Sequence, residues 1–258
     1  MKVVLFCGGL GTRLREHSDT IPKPLVNVGA RPIIWHLMRY YAHFGHKDFV
    51  LALGYRGDLI REYFLNYNEC HSNDFTWSDS GRTLELHSTD IREWRITFVD
   101  TGLHSNIGER LVKVRRYVEQ EPAFLANYSD GLADVPIDRM VADFSAKKVV
   151  ANFAGVNGWE TFHTVEATPD GIATRINGRD DRELLINGGY FVLRQDIFDY
   201  IETGEELVEQ PFNRLMQKGL LGVYRHTGFW RAMDTFKDKI TFDRMEARSQ
   251  CPWMVWKK

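Results

Sequence analysis

A buried strand that runs into a glycine-rich loop opens the chain. Val3–Cys7 is a continuous apolar run, and Gly8, Gly9 and Gly11 follow it directly. A short apolar run stopped by glycine predicts a strand covered on both faces. Glycines at that point let backbone N–H groups approach phosphate oxygens. The spacing is not the dinucleotide fingerprint, because Leu14 stands where a third glycine is required, and no Gly-Lys-Ser/Thr closes a P-loop. The loop therefore indicates phosphate binding, with an ordinary structural turn as the alternative.

Strand and helix patterns alternate along the first half of the chain, which predicts a parallel sheet covered by helices. Apolar runs predict strands at Val3–Cys7 and Asp48–Leu53, and three-to-four spacing predicts helices over Pro32–Phe44 and Gly57–Tyr67. Short alternating segments then predict a β-rich excursion with strands at Phe75–Trp77, Thr83–His87 and Arg95–Phe98. Further strands are predicted at Ala123–Tyr128, Val149–Phe153, His163–Ala167, Ile172–Arg175 and Gly188–Leu193, and helices at Glu109–Val118, Pro136–Ala146, Asp196–Ile201, Pro211–Lys218 and Thr235–Ser249.

The charge and composition of the chain limit the kinds of molecule that it can bind. The 258 residues carry 33 Lys+Arg against 35 Asp+Glu, so no net basic surface attracts nucleic acid or membrane. Anionic small molecules must therefore be held by a few placed cations. The chain has no apolar run of the ~20 residues that a membrane helix needs, no signal-peptide pattern, and only three cysteines without paired spacing. These features predict a cytoplasmic protein, and the scattered histidines disfavour a structural zinc site.

A lysine between two prolines follows the glycine loop, in Pro22-Lys23-Pro24. The flanking prolines stiffen an extended backbone, so the side chain loses little entropy when it is fixed. A lysine that must face a developing charge at a set distance benefits from such rigidity. The alternative is an ordinary proline-rich turn.

Two aspartates stand where metal ligands are expected. Asp130, in Tyr128–Gly131, follows a predicted strand, and ligands of α/β sheets bind at the carboxyl ends of strands. Asp234, in Trp230–Thr235, precedes the last predicted helix. Mg²⁺ prefers carboxylates together with phosphate oxygens. The alternatives are a turn for the Asp-Gly pair and a helix N-cap for Asp234.

These segments, in this order, resemble the sugar-1-phosphate nucleotidyltransferase family, and most of all its glucose-1-phosphate cytidylyltransferase branch. The family opens with a strand, a GGxGTR loop and PKP, which Gly8–Arg13 and Pro22–Pro24 match, and its metal aspartates stand in YGDG and WxxMDT. Here Ser129 replaces the first glycine of YGDG. Further matches are Gly54-Tyr55, Val99–Gly102, Ile186–Gly189 and Pro252-Trp253. The resemblance implies a single α/β, Rossmann-like domain over 1–258 with a mainly parallel central sheet. Its β-rich excursion would cover about 70–100 and its acceptor-binding part about 150–230.

By this resemblance, a phosphate oxygen of an acceptor attacks the α-phosphorus of a nucleoside triphosphate and pyrophosphate leaves. A phosphate monoester, with a second pKa of about 6, is already mostly dianionic at pH 7, so no general base is required. Lys23 would neutralise charge at the α-phosphate, and Asp130 and Asp234 would hold Mg²⁺. Nucleotide-binding roles would fall to Gly8, Gly9, Gly11, Thr12, Arg13 and Arg110, with Arg13 also catalytic on the β- and γ-phosphates and Thr12 and Arg110 near a cytosine base.

CTP, or another nucleoside triphosphate, is thus the expected nucleotide, and Asn187 would contact the acceptor. For Arg110 the alternative is a solvent-facing position on its helix.

Exposed aromatic residues also suggest a homo-oligomer, or else packing within one subunit: Phe75, Trp77, Trp94, Trp253 and Trp256.

The chain departs from the family on the acceptor side. The family carries a Glu-Lys-Pro motif before INGG, whereas here 175–181 contains no lysine, and Arg179 is the candidate replacement. The family's Gly-Arg-Phe-Gly segment is also altered, to Gly158–His163 with Trp159 at its centre. We therefore expect nucleotidyl transfer to a phosphorylated acceptor, a sugar 1-phosphate, with glucose 1-phosphate used poorly. The alternatives are a non-sugar phosphate or phosphonate as acceptor, or a non-catalytic nucleotide-binding homologue.

Overall fold

A computed structural model describes residues 1–9, 21–157, 164–168, 170, 172–177 and 185–257. Its α-helices are α1 (Ile33–His43), α2 (Gly57–Leu65), α3 (Ile107–Val118), α4 (Ile137–Ala146), α5 (Gln210–Gln217) and α6 (Phe236–Ala247). Its strands are β1 (Val3–Cys7), β2 (Asn27–Val28), β3 (Arg31–Pro32), β4 (Asp48–Leu53), β5 (Phe75–Ser78), β6 (Thr83–Leu86), β7 (Arg95–Asp100), β8 (Ala123–Asn127), β9 (Gly131–Ala133), β10 (Ala151–Asn157), β11 (Thr164–Ala167), β12 (Ala173–Asn177), β13 (Leu185–Arg194), β14 (Leu221–His226) and β15 (Trp230–Ala232).

Seven strands form the central sheet in the order β14-β10-β13-β8-β1-β4-β7. Every neighbouring pair is parallel except those of β13, which is antiparallel to both β10 and β8. This mixed α/β architecture with a mostly parallel sheet confirms the predicted fold class. The carboxyl ends of β1, β4, β7 and β8 therefore lie along one edge of the sheet.

Two apolar cores, one on each face of the sheet, explain why β1 is apolar at every position. Val3 and Leu5 belong to the core that contains α1, while Val4 and Phe6 belong to the core that contains α3. Because successive strand residues point to opposite faces, a strand covered on both sides needs a continuous apolar run. The bounds of β1 and β4 are those predicted from their apolar runs.

The β-rich excursion differs from the prediction in one respect. β5 and β6 form a separate antiparallel hairpin, but the third predicted strand, β7, pairs with β4 as a parallel edge strand of the central sheet. Burial accompanies this difference, because Val99 of β7 is buried, whereas β5 is exposed throughout and β6 at three of its four residues. The helix predicted over Asp196–Ile201 is a 3-10 helix of the same length that begins one residue earlier, over Gln195–Tyr200.

The tail packs on its own chain. Trp253 is fully buried, and Trp94 and Trp256 pack against the core, so these three residues do not form the exposed surface that the sequence suggested. Phe75 and Trp77 are exposed on the hairpin, with Trp77 at 71%. Within the described ranges, no helix is long and apolar enough to cross a membrane.

Candidate active site

A short antiparallel strand pair brings the two aspartates together. β9 and β15 pair with Gly131 opposite Ala232, and the Met233 N–H donates to the Asp130 carbonyl at 2.8 Å. Asp130 precedes β9 and Asp234 closely follows β15, so the pairing sets both carboxylates at the same end of the ladder. Neither strand was predicted, because segments of three residues carry no periodic signal of their own.

Lys23 lies between the two carboxylates. Its Nζ is 2.6 Å from Asp130 Oδ2 and 2.6 Å from Asp234 Oδ1. A short 3-10 turn over Lys23–Leu25 holds the lysine, and the Leu25 N–H donates to the Pro22 carbonyl at 2.8 Å. Burial alone would lower the pKa of Lys23, but the two carboxylates outweigh it and raise the pKa above its ordinary value. The side chain is thus a charged ammonium at neutral pH, held between the two carboxylates.

Asp234 does not cap the last helix, contrary to the alternative drawn from the sequence. Thr235 is the N-cap of α6, and with Asp238 it forms a capping box in which each side chain accepts a hydrogen bond from the other residue's N–H. The carboxylate of Asp234 is instead directed to Lys23 and is 42% exposed. It is thus available to a ligand in the cleft.

Ser129 occupies a strained backbone position next to Asp130. Its φ is +65°, in the left-handed region where glycine is favoured. The buried hydroxyl donates to the Phe6 carbonyl of β1 at 2.7 Å, and the Ser129 N–H donates to Asn127 Oδ1 at 3.0 Å. These bonds hold the strained conformation and tie the Asp130 loop to the strand that leads into the glycine loop. The sequence showed only that a serine replaces the family's glycine.

Arg110 is buried beneath the carboxyl ends of three parallel strands, not solvent-facing on its helix. Its guanidinium donates to the carbonyls of Gly8, Leu53, Gly102 and Leu103 and to Thr101 Oγ1, the last at 2.6 Å. A Cβ on Gly8 would lie 2.1 Å from its Cζ, and one on Gly54 would lie 2.6 Å from a guanidinium nitrogen. Both glycines therefore make room for this side chain.

The spacing of apolar residues along α3 explains why Arg110 is buried. It lies on the same face of α3 as Ile107, Leu111, Val114 and Val118, which the three-to-four spacing assigns to the core. An arginine within such an apolar stripe indicates a buried guanidinium with hydrogen-bond partners. Burial also lowers its pKa from the ordinary value.

The sequence of residues 2–231 matches the Nucleotidyl transferase family. The chain belongs to that family. It is 37% identical over 258 residues to a probable glucose-1-phosphate cytidylyltransferase of Bacillus subtilis, covering 99% of this chain and 100% of the relative. It is 36% identical over 257 residues to the glucose-1-phosphate cytidylyltransferase of Salmonella typhimurium, with the same coverage. These matches confirm the resemblance to sugar-1-phosphate nucleotidyltransferases, and the protein is a nucleotidyltransferase.

Solved structures share the fold at lower identity. HddC from Yersinia pseudotuberculosis complexed with GMP-PN is 19% identical, with a TM-score of 0.67 over 95% of this chain and 99% of that chain. A UDP-glucose pyrophosphorylase complexed with UDP-glucose is 16% identical, with a TM-score of 0.70 over 96% and 98%. These likenesses support the nucleotidyltransferase architecture.

The structure brings some of the predicted site residues of this nucleotidyltransferase together. Asn187 donates to the Tyr128 hydroxyl at 3.1 Å, close to Asp130, and Trp230 of β15 donates to the Gly188 carbonyl at 2.7 Å. Gly9 is exposed beside Gly8. Five predicted residues lie outside the described residues: Gly11, Thr12, Arg13, Trp159 and Arg179.

The donor set at Asp130 and Asp234 fits Mg²⁺. In the described part of the chain, no group of three or more His, Cys, Asp or Glu side chains could enclose a metal. Mg²⁺ does not require such a cage, since it commonly takes one or two carboxylates and completes its shell with water and substrate phosphates. The ammonium of Lys23, held by both carboxylates, shows that the pair accommodates a cation.

Proposed function

We propose that this protein is a Mg²⁺-dependent cytidylyltransferase that couples CTP to a sugar 1-phosphate and releases pyrophosphate. The observation that carries the proposal is the ammonium of Lys23 between two carboxylates at one end of the β9–β15 ladder. The names of the relatives at 36–37% identity support CTP as the nucleotide and a sugar phosphate as the acceptor.

In this proposal the protein's main task is to bring two anions together. Lys23 would offset charge that develops on the α-phosphate, and its proline-flanked backbone keeps the cost of ordering low. Backbone N–H groups of Gly8, Gly9 and Gly11 and the fork of Arg13 would bind the triphosphate. Mg²⁺, when bound by Asp130 and Asp234, would supply charge neutralisation between the reacting phosphates.

The base and acceptor contacts form the second part of the proposal. Thr12 would lie near the cytosine, and Arg110 would hold the backbone of the glycine loop there, because its buried guanidinium donates to the Gly8 carbonyl. Asn187, Arg179 and Trp159 would contact the acceptor, and Asn187 is already tied to Tyr128 beside Asp130. Assembly into a homo-oligomer remains a prediction.

Glucose 1-phosphate is expected to be a poor acceptor. The names of the relatives favour it, but 175–181 of this chain lacks the lysine that the family uses for the acceptor's phosphate. A dianion placed beside a triphosphate needs a cation in a desolvated site. Arg179 is our candidate for that cation, and its forked geometry suits a different acceptor pose from that of a point-charge ammonium.

Pyrophosphate release tests the nucleotide and the acceptor together. Purified protein with Mg²⁺ is assayed with CTP, UTP, dTTP and GTP against glucose 1-phosphate, other sugar 1-phosphates, and non-sugar phosphates and phosphonates. We expect CTP to be preferred and glucose 1-phosphate to give a kcat/KM below ~10⁴ M⁻¹s⁻¹.

Arg179→Ala should raise the KM of the true acceptor and leave the KM of CTP unchanged. Efficient use of glucose 1-phosphate contradicts the acceptor prediction, and the absence of turnover with every pair contradicts the proposed function.

The metal assignment is tested with Asp234→Asn. We expect a higher Mg²⁺ requirement and slower turnover with little change in melting temperature, because Asp234 is not the cap of α6. Asp243→Asn is the matched control, since Asp243 is similarly exposed (41% against 42%) and also contacts a lysine at 2.6 Å. A large loss of melting temperature with an unchanged Mg²⁺ requirement would show that Asp234 is structural.

A further inference from the structure

The two carboxylates that are proposed to hold metal already have a cation between them. Lys23 Nζ makes two 2.6 Å contacts, one with each carboxylate, and the lysine side chain is only 15% exposed. Pro22, Pro24 and the 3-10 turn restrain the backbone, so the fold places the ammonium between the two carboxylates. The fold itself thus provides these carboxylates with a counter-ion.

A metal ion and this ammonium compete for the same oxygens. Mg²⁺ binds carboxylate oxygen at about 2.1 Å, so an ion between the same two oxygens would overlap the space that Nζ takes at 2.6 Å. Two cations at such a separation also repel each other strongly. Metal binding between these two oxygens therefore requires Lys23 to leave.

We propose that Lys23 is the resident counter-ion of Asp130 and Asp234, and that metal displaces it toward the nucleotide. This inference rests on the proposed function. A metal ion alone would leave the displaced ammonium without an anion in a largely buried place. A metal ion together with a nucleotide supplies the α-phosphate as its new partner. Metal and nucleotide therefore bind cooperatively, and because coupling is reciprocal each tightens the binding of the other.

Mn²⁺ binding without nucleotide tests the competition directly. Titration of the full chain by electron paramagnetic resonance measures bound Mn²⁺ in wild type and in Lys23→Met. We expect the variant to bind Mn²⁺ about tenfold more tightly, because the competing cation is gone. Lys239→Met is the matched control, since Lys239 is 20% exposed and contacts Asp243 at 2.6 Å on α6, outside the site. Equal or weaker Mn²⁺ binding by Lys23→Met overturns the proposal. If that variant does not fold, Lys23→Gln is measured and interpreted in the same way.

Cooperativity is tested with cytidine 5′-monophosphate, which carries an α-phosphate. Saturating monophosphate should tighten Mn²⁺ binding to wild type severalfold and have much less effect on Lys23→Met. An equal effect on both proteins overturns the proposed coupling.

Two further variants separate this inference from the proposed function. If Asp130→Asn and Asp234→Asn both leave Mn²⁺ binding unchanged, the metal is held elsewhere, and both the metal assignment and the inference fail. If both variants lose Mn²⁺ binding but Lys23→Met binds as wild type does, the metal assignment stands and only the inference fails.

Discussion

Lys23 and Arg110 are two cations at the same edge of the central sheet, in opposite surroundings. Lys23 contacts two carboxylates, and one of them, Asp234, is 42% exposed. The guanidinium of Arg110 is buried and donates to neutral oxygens from three strand ends. The ion pairs of Lys23 can be exchanged when another cation and another anion arrive. The hydrogen bonds of Arg110 cannot be exchanged without moving the strand ends themselves. A cation that acts on substrate and a cation that supports the site are therefore distinguished by their partners.

Removing Lys23, the cation whose ion pairs can be exchanged, should have the largest effect, a loss of turnover. We expect Lys23→Ala to lower turnover by about 10²- to 10³-fold, as for the loss of one preorganised electrostatic contact. The fold should remain, because neither carboxylate is sealed from water. Steady-state pyrophosphate release gives the turnover and circular dichroism gives the fold. Unchanged turnover would remove Lys23 from the mechanism.

Removing Arg110, the buried cation, should chiefly lower the stability of the fold. We expect Arg110→Met to lower the free energy of unfolding by about 2–4 kcal/mol, because buried carbonyls lose their donor. Urea denaturation measures this change, with Arg116→Met, an exposed arginine of the same helix, as the control. If Arg110→Met is as stable as the control, the contrast between the two cations does not hold.

Ser129 should give the smallest effect, since two contributions oppose each other. Ser129→Gly loses the hydrogen bond to Phe6 but relieves the left-handed backbone, so the net change should be within about 1 kcal/mol. Ser129→Ala loses the same bond and keeps the strain, so it should be less stable than Ser129→Gly. Thermal denaturation measures the melting temperatures of the two variants. If Ser129→Ala melts at a higher temperature than Ser129→Gly, backbone strain at this position is unimportant.

Local patterns predicted the sheet better than they predicted the site. The bounds of β1 and β4 followed from continuous apolar runs, and the predicted helices agree with α1, α4 and α5 to within one residue at each end. α3 begins two residues before the predicted start, because Asn106 and Glu109 form a capping box that was not recognised.

The site depends on long-range pairing that no local pattern encodes. β9 and β15 are separated by almost 100 residues in sequence, and only their ladder shows that Asp130 and Asp234 face the same lysine. Motif resemblance brought Lys23 and both aspartates into the prediction, but not the contact among them. Ser129 was visible as a departure from the motif, whereas its bond to Phe6 required the packing of β8 beside β1.

The ladder between β10 and β13 has a consequence for how acceptor preference can change. Asn157, the last residue of β10, pairs with Leu185, the first residue of β13. The chain therefore leaves the central sheet and returns to it at the same place. The two segments that are altered relative to the family, 158–163 and 175–181, lie between these strands in the sequence. The residues of the β9–β15 ladder lie outside that stretch, at 131–133 and 230–232. We therefore expect substitutions in that stretch to change acceptor preference while leaving the β9–β15 ladder unchanged.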